Sequence, residues 1–266
     1  VDHRLRRVGE AHPFRLAFAV AAGWIVITVV GGGTVIAVRP DVDRQVPALI
    51  VTVVLAAVAV GLLVAWGDWG RIGFTAPSTW RDAGWLAVPA ALAAAPLLGG
   101  MSPVPGVTLA FWTTVGLLTG FVQEAVWRGV VLQVLLPTGA WRAALASSAL
   151  LAAVQGSVLF LQVQVVQAQV VATAALAVAQ VLWTFCAGLG YAAIRLRTGA
   201  LWPLMIIDAL AALLTSLSGP PDGLLFVAPA AALLAVGVWL LRGPASRRRP
   251  GDVAVPGRPS SGATKA

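Results

Sequence analysis

Residues 107–136 read VTLAFWTTVGLLTGFVQEAVWRGVVLQVLL. The stretch exceeds the ~20 apolar residues that cross a bilayer. Its only charges are Glu124 and Arg128. They stand four residues apart, so on a helix they share one face, one turn apart. A carboxylate and a guanidinium at membrane depth are each costly unless paired. The pair therefore marks either a functional site or an internal ion pair that only fixes helix packing.

The rest of the chain agrees with a membrane setting. It has 266 residues, 59% of them hydrophobic and 11% charged, with a mean hydropathy of +0.89. Soluble domains carry about 25% charged residues. The alternating pattern of β-barrel strands is absent, so the expected fold is all-α, a polytopic helical bundle. Eight apolar segments can be drawn, at about 14–38, 47–66, 84–98, 107–136, 143–161, 168–194, 201–217 and 224–241. The first is too long for the roughly 7–15-residue core of a signal peptide and reads as an uncleaved span. Gly116 and Gly120 form a small-xxx-small pair that lets another helix approach closely.

Charge placement tests this count. The net charge is +8. Arg4, Arg6, Arg7 and Arg15 precede or open the first segment, and Arg242, Arg247, Arg248 and Arg249 follow the last. With both termini cytoplasmic, Arg71, Arg81, Arg142, Arg195 and Arg197 fall in inside loops, and only Arg39 and Arg44 fall outside. This asymmetry is the positive-inside pattern of a multi-pass cell-membrane protein, and the basic clusters suit anionic lipid headgroups, not nucleic acid. Trp66, Trp69, Trp80, Trp85, Trp141, Trp202 and Trp239 fall near the cytoplasmic interface, as an aromatic belt would. The chain divides into a basic N-terminal stretch (1–13), the bundle (14–241) and a Pro-, Gly-, Ser- and Arg-rich tail (242–266) expected to be disordered.

Further polar residues lie inside the spans. Gln155 sits in the fifth segment and Asp208 in the seventh. A glutamine group, Gln162, Gln164, Gln167, Gln169 and Gln180, surrounds the loop before the sixth and reads as solvated or bonded between helices. Glu124, Arg128 and Asp208 form the charged interior and should face one another or a water-filled cavity. Two arrangements are open for Asp208: sharing Arg128, or carrying a proton.

These residues resemble the CAAX protease and bacteriocin-processing family, the CPBP intramembrane metalloproteases. That family carries E-E-x-x-x-R, then F-x-x-x-H, then H-x-x-x-N or H-x-x-x-D on separate membrane helices. The first aligns with Gln123-Glu124-Ala125-Val126-Trp127-Arg128, the second with Leu151 to Gln155, the third with Asp208 to Ala212. Arg71-Ile72-Gly73-Phe74 resembles the family's linker before the third span. Gly190-Tyr191 through Arg197 to Pro203 resembles the lead into the third motif. The resemblance runs from about 71 to 214.

The resemblance implies that the first Glu of the first motif activates water, and that the later His, Asn or Asp positions complete the site or hold zinc. Here those positions hold Gln123, Gln155, Asp208 and Ala212; only Glu124 and Arg128 keep the family's identity. An amide takes no proton from water near neutral pH. Zinc draws three or four ligands from Cys, His, Asp and Glu. The chain's only histidines are His3 and His12, near the N-terminus, and its one cysteine, Cys186, reads as a small core residue. No cofactor and no metal are therefore expected. The expected function is a catalytically impaired member that binds a transmembrane or lipidated peptide or protein within the bilayer. One alternative is an active intramembrane endopeptidase in which Glu124 or Asp208 becomes the base, with Arg128 beside them. The other is a small transporter, given ionisable groups in the membrane.

Overall fold

In a bilayer every backbone amide needs a partner within the protein, and a helix supplies it segment by segment. The computed structural model describes residues 4–38, 45–77, 79–101, 103–166, 170–218 and 223–243. Among these the chain is helical, and its β pairing is one isolated bridge between Met101 and Ser218. The basic helix α1 (Arg4–Ala11) leads into α2 (Pro13–Val26), where Pro13 opens the helix at a position that needs no N–H partner. A π turn (Ile27–Gly31) continues it into α3 (Gly32–Val38). Then follow α4 (Gln45–Trp66), the short α5 (Trp69–Ile72) and α6 (Trp80–Ala83), α7 (Ala87–Ala93) and α8 (Gly106–Gln123). Beyond α8 a π segment (Glu124–Val131) runs into α9 (Leu132–Leu135). The long helices α10 (Ala140–Val166), α11 (Val170–Thr198), α12 (Trp202–Leu217) and α13 (Gly223–Arg242) complete the bundle.

Among the described residues, five stretches are long and apolar enough to cross a bilayer: Pro13–Val35, Gln45–Trp66, Gly106–Thr138, Ala140–Leu161 and Ala177–Thr198. Trp202–Leu217 and Val227–Arg242 are shorter apolar helices. The segment at 84–98 is not a single helix. It changes pitch, from α6 through a 3-10 turn (Gly84–Leu86) into α7 and then a 3-10 stretch (Ala95–Gly99). Its ends are nevertheless pinned. Asp82 at its start pairs with Arg197 at the close of α11 (2.6 Å), and Met101 just past its end bridges to Ser218 just past α12. The run thus leads from the close of α11 to the residue just past the end of α12. Trp85 stacks on Trp239, near the end of α13, with centroids 4.8 Å apart. Arg6 of α1 comes within 3.9 Å of Asp68. Both ends of the described chain therefore meet the same end of the bundle.

Small residues set the helix spacing. A Cβ on Gly116 would lie 2.9 Å from the Ala209 carbonyl, and one on Gly120 would strike the Met205 carbonyl, so α8 and α12 meet backbone to backbone at the anticipated pair. Gly190 of α11 does the same against α13, 2.8 Å from the Leu233 carbonyl. Large apolar side chains cover the outside, among them Val26, Val30, Leu98, Val107 and Val178. That is the surface of a protein whose solvent is hydrocarbon. Of the belt tryptophans, Trp69, Trp141, Trp202 and Trp239 are exposed, but Trp66 is buried with Leu63, Ile72, Ala125 and Leu201 in a core cluster and does not belong to a belt. The tail beyond 243, His3, Gln167 and Gln169 lie outside the described residues.

Candidate functional site

The site is built on the π segment, which is buried from Glu124 through Val131 and packs against α2, α4, α10, α11 and α12. Such wide turns are rare and recur at functional positions. Four-residue spacing keeps two side chains adjacent here as in an α-helix. Arg128 Nη1 lies 3.0 Å from Glu124 Oε1, with both side chains withdrawn from the surface. The approach is electrostatic: neither carboxylate oxygen of Glu124 receives an aligned hydrogen bond, and Nη1 donates none. The Arg128 guanidinium also stands over the Tyr191 ring, 5.4 Å from its centroid, a cation–π contact in a desolvated setting.

The α8–α12 crossing brings Asp208 to this pair. Ala209 packs on Gly120, one turn before Glu124, so the preceding residue, Asp208, turns toward the π segment. Asp208 is half-buried, its Oδ2 is buried without a partner, and it interacts electrostatically with both Arg128 and Glu124. The charged interior expected of Glu124, Arg128 and Asp208 is thus one electrostatic cluster. Gln123 precedes Glu124 at the end of α8 and is half-buried. Gln155 on α10 and Ala212 on α12 are half-buried as well.

One member of the cluster was not foreseen. Arg195, placed by loop counting in an aqueous loop, is 8% exposed because α11 runs on to Thr198. Its charge reaches Glu124. Its Nη2 donates to the carbonyls of Arg71 (3.1 Å) and Ile72 (2.7 Å). Gly73, at φ +106°, makes this possible, since a side chain there would strike the guanidinium. The Leu201 N–H donates to the Gly73 carbonyl at 2.8 Å. The two family-like segments, 71–74 and 190–203, are therefore fastened together through Arg195 and Leu201. A signal was present: Thr184, Gly188, Tyr191 and Arg195 recur at helical spacing and are all buried. Gly199, at φ +74°, stands just past the helix end.

The donor set does not fit zinc. Among the described residues no three His, Cys, Asp or Glu side chains converge. Cys186 is a free, half-buried thiol and His12 is exposed. Gln155 and Ala212, at the positions where the family would place ligands, supply neither imidazole nor carboxylate.

Comparison with known families matches residues 105–214 to the model described as "Type II CAAX prenyl endopeptidase Rce1-like". That region contains Gln123 to Arg128, Gln155 and Asp208 to Ala212. No curated protein and no solved structure matches the chain. By this match, and by the order of its three motifs along an all-helical membrane bundle, residues 105–214 are similar to the CAAX prenyl endopeptidase family, and the chain is a CAAX-protease-like membrane protein.

Proposed function

We propose that this CAAX-protease-like membrane protein holds a transmembrane or lipidated partner segment in its interior without cutting it. The observation that supports this reading is the selective survival of the site. The ion pair that braces the π segment is kept and buried, while the positions that would activate water or bind metal hold Gln123, Gln155 and Ala212. The amides of Gln123 and Gln155 donate and accept hydrogen bonds but take up no proton at neutral pH. Amides at these two positions suit hydrogen bonding to an extended peptide backbone. In this reading the protein sits in the cell membrane with both termini cytoplasmic.

A second reading has one observation in its favour. Both oxygens of Glu124 and Oδ2 of Asp208 are buried without an aligned donor, and two such carboxylates in one cluster are candidates for a rearranged hydrolytic site. One experiment separates the two. Purified protein in bilayer discs is given a prenylated C-terminal peptide carrying a photoreactive group, beside the Glu124→Ala and Asp208→Ala variants. Binding predicts crosslinks in α8 and α10 with no shortened product. Turnover by the wild type that Asp208→Ala abolishes would establish hydrolysis and reject the binding reading.

A further inference from the structure

A groove on the membrane face of the bundle, between α2 and α4, belongs to none of the three motifs. It encloses about 250 Å³, and every lining residue is apolar, including Leu16, Gly23, Trp24 and Ile27 on one wall, Leu62 on the other and Val126 at the back. Its shape selects its occupant. From Leu16 to Ile27 the wall runs about 16 Å at the α-helical rise, whereas a helix with its side chains is about 10–12 Å across. A volume of about 250 Å³ drawn out over that length admits a single hydrocarbon chain and no helix. The space in front of Gly23 is open, since a Cβ there would meet nothing within 4 Å, so a large side chain at this position would project into the slot.

The charge at the mouth selects the headgroup. Arg15 is exposed in the first turn of α2, next to Leu16 of the groove wall, whereas Arg6 on the preceding helix is already paired with Glu10 (2.9 Å). Basic side chains beside a span draw anionic headgroups. We propose that the groove binds one acyl chain of an anionic phospholipid, with the lipid phosphate beside Arg15. The bound chain lies behind the charged cluster. Trp24, in the groove wall, packs on Trp127 with centroids 5.5 Å apart, and Trp127 adjoins Arg128. The lipid thus supports the wall that holds the ion pair. This inference does not rest on whether the interior site binds or cuts.

The test uses the full chain, delipidated in mild detergent and then offered phosphatidylglycerol or phosphatidylcholine. Native mass spectrometry reads the phospholipid retained per chain. Wild type retains phosphatidylglycerol in preference to phosphatidylcholine. Gly23→Phe lowers that retention about tenfold or more, the effect of denying burial to a few methylenes. Val58→Trp, filling the slot from α4, serves as the second variant should Gly23→Phe fail to fold. Arg15→Gln keeps a retained lipid but loses the preference for phosphatidylglycerol. Val178→Phe, on the lipid-facing surface of α11, leaves retention unchanged. Undiminished retention in folded slot-filling variants overturns the site. Equal retention of the two lipids by wild type overturns the headgroup assignment. Tighter retention of a farnesylated peptide than of phosphatidylglycerol overturns phospholipid as the occupant.

Discussion

Glu124 and Arg128 illustrate how far one side chain's worth depends on its partner. Withdrawn from solvent, each is tolerable only because the other is 3.0 Å away. Removing one member of a buried pair leaves an uncompensated charge, which costs about 3–5 kcal/mol, whereas replacing both with neutral groups of similar volume is close to neutral. Glu124→Gln alone and Arg128→Met alone should each lower unfolding stability in detergent by about that amount, and the double variant Glu124→Gln/Arg128→Met should recover most of the loss. Chemical unfolding of the four proteins closes the cycle. Additive losses would mean that the two residues do not act as a pair. Asp208 lies within the field of both residues, so the cycle is best repeated with Asp208→Asn in the background.

At the scale of the helix, stability lies in the seams. Hydrocarbon offers no hydrophobic drive between spans, so association depends on close packing. Gly120 meets the backbone of α12 at Met205 and Ala209. Gly120→Leu should therefore part α8 from α12, at a cost of about 1–3 kcal/mol or more for an overpacked contact. A disulfide between cysteines placed at Thr113 and Ser216, on the two helices, should form less readily in that variant. Unchanged crosslinking would show that the seam lies elsewhere. The sequence made this seam legible because glycines four apart on an apolar helix have few other uses. It also made Glu124, Arg128 and Asp208 legible, since charge in an apolar run stands out. It hid the π segment, because spacing of four places the pair together in either kind of turn. It hid the burial of Arg195 because the helix outlasts its apolar run: an arginine near a span end reads as a loop residue until the carbonyls of Arg71 and Ile72 are seen around it.

The whole molecule poses a question of parity. Eight crossings put both ends of the chain on one side of the membrane, and seven put them on opposite sides. The deciding segment is the run from Trp80 to Gly99, which is the least regular of the eight. Its 3-10 stretches rise faster per residue than an α-helix, so some 20 residues extend about 30 Å, the thickness of the hydrocarbon core. Its start is tied to the close of α11, just before α12 begins, by the Asp82–Arg197 pair, and its end to the residue just past α12 by the Met101–Ser218 bridge. Those ties favour a full crossing, and basic residues gathered at the Arg6, Arg71 and Arg197 end favour the cytoplasm for that end. With Cys186 replaced by Ser, single cysteines at His12, at Arg44 and at Ser260 should separate in a maleimide assay on intact cells. The Arg44 position labels from outside, while the other two label only after permeabilisation. External labelling at Ser260 but not at His12 would mean that the run turns back within the membrane. The α12 end that carries the Met101 bridge would then have to face the same side as its start, which a straight helix of 16 residues cannot do.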